Sequence, residues 1–238
     1  MRVDIWSDVV CPWCYVGKRR FEAALARFPH RDEVEVHWHS FELDPRAPRT
    51  RDGDRLEHIA TKYRVSRAEA EVMEGRVTAA AADAGLEFHL DRVRGGNSFD
   101  AHRLLHLAAD HGREVADRLK DRFLRAYFTE GQPIGDPATL ARLAVEVGLP
   151  AAEVDDVLAG DRYAAAVRAD ERTAQAYGAT GVPFFVIDET YGLSGAQPPE
   201  VFANVLDRAW SETHAEPHPT GSTPAAPADA CADGACPV

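Results

Sequence analysis

The sequence predicts an α/β fold in which a small sheet is interrupted by a long helical insertion. Within residues 1–51, a strand pattern, a helix pattern and a second strand pattern follow one another. From about residue 52 to residue 178, apolar residues recur at helical spacing almost throughout. A continuous apolar run and a short partner strand then return the chain to strand patterns, ahead of one more helix.

The first unit is predicted to be β-α-β. Residues 3–6 form a short apolar strand, and Pro12 occupies the first turn of a helix that extends to about Phe28. Pro29 ends this helix because proline cannot continue the backbone hydrogen bonding. Residues 34–39 then alternate as a second strand.

The insertion carries its own helix signals. Ser66 and Glu69 form a capping-box pattern, and Asp136 precedes Pro137 as a helix cap. The predicted helices cover approximately residues 66–85, 99–111, 113–128, 136–147 and 162–177.

The C-terminal part is predicted to be β-β-α followed by a tail. Residues 184–187 form a buried strand, residues 191–193 its hairpin partner, and a helix extends from Pro198 to about Trp210. Residues 213–238 are rich in Pro, Ala, Thr and Gly, and too little apolar surface is available to order them.

This order of elements is typical of a thioredoxin-like fold with a large inserted all-helical domain and a flexible C-terminal tail. The predicted thioredoxin-like domain comprises residues 1–51 and 179–212, and the helical domain comprises residues 52–178. Residues 213–238 are the tail.

Composition excludes several function classes. The chain has 238 residues and a net charge of −12, which argues against nucleic acid because phosphate binding needs clustered cations. No run approaches the roughly 18 apolar residues of a membrane span. Asp4 interrupts the only apolar stretch at the N-terminus, which is too short and polar for a signal peptide. The sequence therefore predicts a cytoplasmic protein without membrane partners.

A cytoplasmic location favours a redox or metal-binding role for the four cysteines, because cysteines in a reducing compartment rarely form structural disulfides. Cys11 lies at a predicted strand-to-helix junction, where unpaired amides and the helix dipole stabilise a thiolate, the form that attacks disulfides. Cys14 lies one turn further on the same face and is expected to be the less exposed thiol. A four-cysteine zinc site would need Cys231 and Cys236 to return from the tail, and we predict no metal.

A second signature is Gly181-Val182-Pro183 ahead of an apolar strand. In thioredoxin-like sites a cis proline before the third strand lies against the redox pair, and the residue before it offers its backbone to a substrate chain. That resemblance implies a cis Val182–Pro183 bond beside Cys11, although an X-Pro bond can also be a trans turn. Pro12 and Trp13, between the cysteines, would complete the wall of the site.

Several polar residues leave alternatives open. Asn97 and His102 either face the dithiol or serve as a helix cap and a satisfied histidine. His37 and His39 share a strand face, and a polar sheet face is favoured over a metal site. Asp8 is expected to point to solvent rather than toward Cys11.

These motifs resemble the DsbA-like thiol oxidoreductases. Residues 7–10, 97–103 and 194–198 are similar to the cytoplasmic FrnE-like branch, and the resemblance covers about residues 1–212. It implies disulfide reductase, oxidase or isomerase activity on thiol or disulfide proteins. It implies no bound cofactor, with glutathione as a candidate co-substrate. C-x4-C pairs occur in this branch, so Cys231 and Cys236 are predicted to be an auxiliary redox pair.

The same branch borders on the kappa-class glutathione transferases and the 2-hydroxychromene-2-carboxylate isomerases. These typically carry Ser where Cys11 stands, so the sequence favours a dithiol reductase or isomerase. The alternative is a glutathione-dependent isomerase or transferase acting on a small aromatic substrate.

Overall fold

The computed structural model describes residues 1–51 and 53–214 of the chain. The strands are β1 (Arg2–Ser7), β2 (Glu35–Ser40), β3 (Phe184–Ile187) and β4 (Tyr191–Ser194). The helices are α1 (Pro12–Leu25), α2 (Arg55–Tyr63), α3 (Arg67–Asp83), α4 (Phe99–Asp110), α5 (Arg113–Phe128), α6 (Pro137–Glu146), α7 (Ala151–Ala159), α8 (Ala164–Ala176) and α9 (Pro199–Thr213).

The four strands form one mixed sheet in the order β2-β1-β3-β4. β1 pairs in parallel with β2 and antiparallel with β3, and β3 pairs antiparallel with β4. The predicted thioredoxin-like fold with its helical insertion is therefore confirmed. The parallel register places the end of β1, where the cysteine motif begins, at the same edge as the end of β2.

Side chains alternate along β1 because successive residues of a strand face opposite sides of the sheet. Val3 and Ile5 join the core under α1 and α9, together with Phe185 and Phe202. Trp6 faces the other side, where Ala174 of α8 covers it. The central strands β1 and β3 are thus buried on both faces.

The helices of the insertion pack around a third apolar core, which also includes Val9, Tyr15 and Val16 from the N-terminal unit. The insertion is therefore packed directly against the start of α1. The division into residues 1–51 with 179–212 and residues 52–178 stays a prediction, since this core crosses it.

Two predicted helix starts are confirmed. The Ser66 and Glu69 side chains each bond the other's backbone amide, and the Asp136 carboxylate accepts from the amide of Thr139. α1 ends at Leu25 rather than near Phe28, and Phe28 is instead held by a bond from its amide to the carbonyl of Leu25. Pro29 disfavours the helical conformation of Phe28, the residue before it, and so keeps Phe28 out of the helix.

Crossing a membrane requires a longer and more apolar helix than any present in residues 1–51 and 53–214.

Candidate active site

Cys11 is the residue that precedes the first turn of α1, and Pro12 occupies that turn. The chain leaves β1 at Ser7, turns through residues 8–10, and bonds the Cys11 amide to the carbonyl of Asp8. Both cysteines are free thiols. Cys11 is 4% exposed and Cys14 is 1% exposed, which confirms the predicted order.

Val182 lies beside Cys11. The Val182–Pro183 bond is cis, as predicted, and the Cys11 thiol donates to the carbonyl oxygen of Val182 at 3.5 Å. Gly17, one turn beyond Cys14, allows this approach because a β-carbon there would lie 2.9 Å from the Pro183 ring. The sequence signal for Gly17 is a glycine inside a helix, where it otherwise weakens the helix.

Cys14 lies deeper than Cys11, against the Ser7–Asp8 peptide group. The Asp8 amide donates to the Cys14 sulfur at 3.4 Å. Burial raises the pKa of the Cys14 thiol well above its ordinary value, and the neighbouring Cys11 raises it further. A buried thiol of this kind needs help to become a nucleophile.

The expectation that Asp8 points to solvent is wrong, because its side chain is fully buried. One carboxylate oxygen lies 3.3 Å from His102 Nε2, and the other accepts from the Leu43 amide at 2.8 Å. Burial alone would raise the pKa of the Asp8 carboxyl, but the hydrogen bond and charge of His102 outweigh it and the pKa is lowered. The Asp8 carboxylate can be buried because His102 and the Leu43 amide supply its hydrogen bonds.

Asn97 and His102 reach the site only indirectly. His102 is completely buried behind Asp8. Asn97 accepts from the Phe99 amide at 2.8 Å, as a residue at a helix start does, and donates to Glu42 at 3.3 Å. Neither side chain lines the cavity formed by the described residues around Cys11.

Lys120 of α5 is a buried residue that sequence reasoning missed. Its side chain is 1% exposed, and Nζ donates to the carbonyl oxygen of Ser7 at 3.3 Å. Burial lowers the pKa of Lys120 to about 8, although Cys14 and Asp8 act in the opposite direction. Nothing in the sequence pattern marks Lys120, because a lysine beside an apolar stripe is normally assigned to solvent.

A cavity of about 310 Å³ opens beside the dithiol. Cys11, Trp13 and Val182 line one end of it. Trp13 is one of the more exposed large apolar side chains among the described residues. The cavity extends toward α2 and α3, where Ile59 and Met73 lie near the cations Arg51 and Lys62. A small apolar or peptide-like group therefore has access to Cys11.

The two strand histidines do not form a metal site. His39 lies between Asp4 and Asp170, at 2.6 Å and 3.1 Å, and stacks on Trp6. No cluster of three or more His, Cys, Asp or Glu suited to a metal ion occurs within residues 1–51 and 53–214. Cys231 and Cys236 lie outside the described residues.

Comparisons with known proteins also identify a thioredoxin-like fold. The model of the family described as DSBA-like thioredoxin domain matches residues 2–207. The crystal structure of a probable DsbA oxidoreductase from Streptomyces coelicolor is 47% identical, with a TM-score of 0.84, and 98% of this chain and 100% of that chain are covered.

Two more distant structures share the fold. The cytosolic disulfide reductase DsbM from Pseudomonas aeruginosa, solved with GSH, is 19% identical with a TM-score of 0.62, covering 88% of this chain and 99% of that chain. A 2-hydroxychromene-2-carboxylate isomerase is 14% identical with a TM-score of 0.64, covering 90% and 98%. At these identities the likeness concerns the fold alone.

Proposed function

Since the chain belongs to the family of DSBA-like thioredoxin domains, we propose that it is a protein thiol–disulfide oxidoreductase working as a reductase or isomerase. The proposed dithiol is Cys11 and Cys14. The observation that carries the proposal is the arrangement of two free thiols at a helix start. One lies beside the Val182 carbonyl, and the other lies deeper, against the Asp8 amide.

The reaction uses the two thiols in sequence. The Cys11 thiolate attacks a substrate disulfide, forms a mixed disulfide and releases one substrate thiolate. Cys14 then attacks the Cys11 sulfur, which breaks the mixed disulfide, releases the second substrate thiol and closes the Cys11–Cys14 disulfide. The short distance from Cys11 to the Val182 carbonyl supports a role for residues 182–183 in aligning an extended substrate.

The remaining candidate residues have supporting roles in this proposal. Pro12 and Trp13 form the wall of the site on α1, and Asn97 and His102 hold the loops behind it. Pro12 and Trp13 carry no cation that would stabilise the reduced dithiol, which favours reductase or isomerase work over net oxidation.

The proposed partners are thiol or disulfide proteins, with glutathione as the co-substrate that regenerates the dithiol. The cations near the far end of the cavity suit the carboxylates of such a tripeptide. No bound cofactor is proposed, and the proposed location is the cytoplasm. Cys231 and Cys236 stay a predicted auxiliary redox pair.

A second candidate is a glutathione-dependent isomerase or transferase acting on a small aromatic compound. The observation in its favour is the partly apolar cavity of about 310 Å³ beside Cys11, which has room for such a substrate. In that reaction Cys11 would only position or activate glutathione, and Cys14 would not be needed.

Single substitutions separate the two candidates. In Cys11→Ser, glutathione-coupled insulin reduction should fall to the uncatalysed background because no thiolate attacks the disulfide. In Cys14→Ser, the first step survives and the variant should accumulate as a mixed disulfide, measured by intact mass. Full insulin reduction by Cys11→Ser would contradict the dithiol assignment. Undiminished turnover of an aromatic substrate with glutathione by Cys14→Ser would favour the second candidate.

A further inference from the structure

Lys120 is buried without a charged partner. Its ammonium group bonds the Ser7 carbonyl at 3.3 Å and lies 5.6 Å from the centre of the Trp38 ring. Among the described residues, no carboxylate lies within ion-pairing distance of it. A buried ammonium without a counter-ion destabilises a fold, so the arrangement needs an explanation beyond packing.

Lys18 provides the internal comparison. It is equally buried, at 1% exposed, and lies 5.3 Å from the centre of the same Trp38 ring. Lys18, however, forms ion pairs with Glu22 and with Asp117, the latter at 2.7 Å. The charge of Lys18 is compensated locally, and that of Lys120 is not.

The Ser7–Asp8 peptide group connects Lys120 with Cys14. Its carbonyl oxygen accepts from Lys120 Nζ, and its N–H donates to the Cys14 sulfur at 3.4 Å. An ammonium at the oxygen end polarises the peptide and strengthens the hydrogen bond at the nitrogen end. The positive charge therefore acts on the Cys14 sulfur through one peptide group.

We propose that Lys120 is a positioning residue for the resolving step, and that its ammonium, acting through the Ser7–Asp8 peptide, stabilises the thiolate of Cys14. The inference rests on the proposed dithiol function and names a residue of the helical insertion that serves it. In the mixed disulfide, Cys14 gives its proton to solvent and its thiolate attacks the Cys11 sulfur. The bond from Cys11 to the substrate sulfur breaks, and the substrate leaves with the electron pair.

The surrounding charges support this role. Cys14 and Lys18 face Lys120 from α1, Cys11 from the residue just before that helix, and Asp8 from the loop after β1. The charge of Asp8 is engaged by His102. Burial disfavours both charges, which lowers the pKa of Lys120 to about 8 and raises the pKa of Cys14. The charge of Lys120 and that of a Cys14 thiolate act against burial, because each stabilises the other. The stabilisation is present while Lys120 is protonated and is lost as the pH rises above about 8.

The test reads the two thiol steps separately. Reduced full-length protein, carrying Cys231→Ser and Cys236→Ser so that only the dithiol reacts, is mixed with one equivalent of 5,5′-dithiobis(2-nitrobenzoate) in a stopped-flow instrument. Attack by Cys11 releases the first thionitrobenzoate, and resolution by Cys14 releases the second. Lys120→Met is compared with Lys18→Met, a matched replacement of a buried lysine over the same ring.

In Lys120→Met the first phase should persist, and the second should slow by about tenfold near neutral pH, equivalent to about one pKa unit for Cys14. The difference from the parent should shrink as the pH rises past about 8, where the parent loses its ammonium. Lys18→Met should follow the parent. The parent itself should show a bend near pH 8 in the logarithm of the second rate.

Three results would overturn the inference: an unslowed second phase in Lys120→Met, a slowing that is the same at every pH, or an equal slowing in Lys18→Met. If Lys120→Met does not fold, a straight pH profile of the parent's second phase would overturn it without any variant. A missing first phase in the parent would instead contradict the proposed function itself.

Discussion

Two polar clusters form around β1 and the turn that follows it: a partly buried one around Asp4 and a buried one around Asp8. We call the first the clamp, and it consists of Asp4, His39, His106 and Asp170. We call the second the redox cluster, and it consists of Asp8, Cys14, His102 and Lys120. Both bring the helical insertion into contact with the sheet, through α8 and α4 in the clamp and through α4 and α5 in the redox cluster.

Within the described residues, no buried side-chain polar atom of the clamp lacks a hydrogen-bond partner. His39 faces a carboxylate on each ring nitrogen, so it must carry both protons and a positive charge. Asp170 also accepts from the Ser40 amide at 2.8 Å and lies 3.0 Å from His106. Complete pairing of this kind holds α8 against the sheet.

The redox cluster is incompletely paired. Within residues 1–51 and 53–214, His102 Nδ1 makes no hydrogen bond, nor does Ser7 Oγ, which precedes Asp8 in the chain, and Lys120 bonds one carbonyl only. Unpaired buried groups lower stability but leave charges free to respond when a neighbouring sulfur changes state. The paired cluster therefore stabilises the fold, whereas the unpaired one is the cluster that the proposed dithiol reaction would use.

The largest effect is expected from Asp170→Asn. It leaves the charged His39 with one carboxylate and removes the negative partner of His106, so the free energy of unfolding should fall by about 3 kcal/mol. Urea unfolding followed by circular dichroism measures this. The rate of the Cys11 phase in the folded protein is the control and should be unchanged. A decrease in the free energy of unfolding of less than about 1 kcal/mol would contradict a stabilising role of the clamp.

The second-largest effect is expected in the pH dependence of the free energy of unfolding. Burial opposes the charge of His39, but its hydrogen bonds with Asp170 and Asp4 raise its pKa to about 9, above the ordinary value of 6.5. The clamp therefore contributes fully below about pH 6.5, and its contribution is lost as the pH rises through about 9. Unfolding free energy should fall by about 2 kcal/mol between about pH 6.5 and 8. In His39→Gln the free energy of unfolding should depend less steeply on pH. An equally steep dependence in that variant would mean that other titrating groups cause it.

The smallest effect has the opposite sign. Lys120→Met replaces an uncompensated ammonium by an apolar side chain of similar length, so the protein should become more stable by about 1 kcal/mol near neutral pH. Lys18→Met should not stabilise, since it removes a compensated charge. Urea midpoints of the two variants at one pH make the comparison. Destabilisation by Lys120→Met would mean that the redox cluster holds the fold as the clamp does.

Local patterns predict many of the secondary-structure elements and the relative burial of the two cysteines. β3 was predicted to the residue, and capping patterns correctly placed the starts of α3 and α6. The helical spacing of Cys11 and Cys14 was enough to order their exposure. These features depend on neighbours within a few residues, which a sequence displays directly.

The polar partners of the site were not predictable in the same way. Lys120 and the Ser7 carbonyl are separated by 113 residues, and Asp8 and His102 by 94. A charged side chain is buried only when it finds hydrogen-bond partners, which here come from distant parts of the chain. The residues next to Lys120 or Asp8 in the sequence do not reveal those partners. The sequence therefore places Asp8 in solvent and does not distinguish Lys120 from an exposed lysine.

The contact between Cys11 and Val182 spans 171 positions of the chain, and it also sets an order of events during synthesis. At roughly 5–20 residues per second, a ribosome delivers Val182 about ten to thirty seconds after Cys11. In that interval the two thiols lack the strand, the proline loop and the helices that enclose them in the finished protein. Cys11 and Cys14 of the nascent chain are therefore accessible to an oxidant or to another thiol before the residues that enclose them have been synthesised.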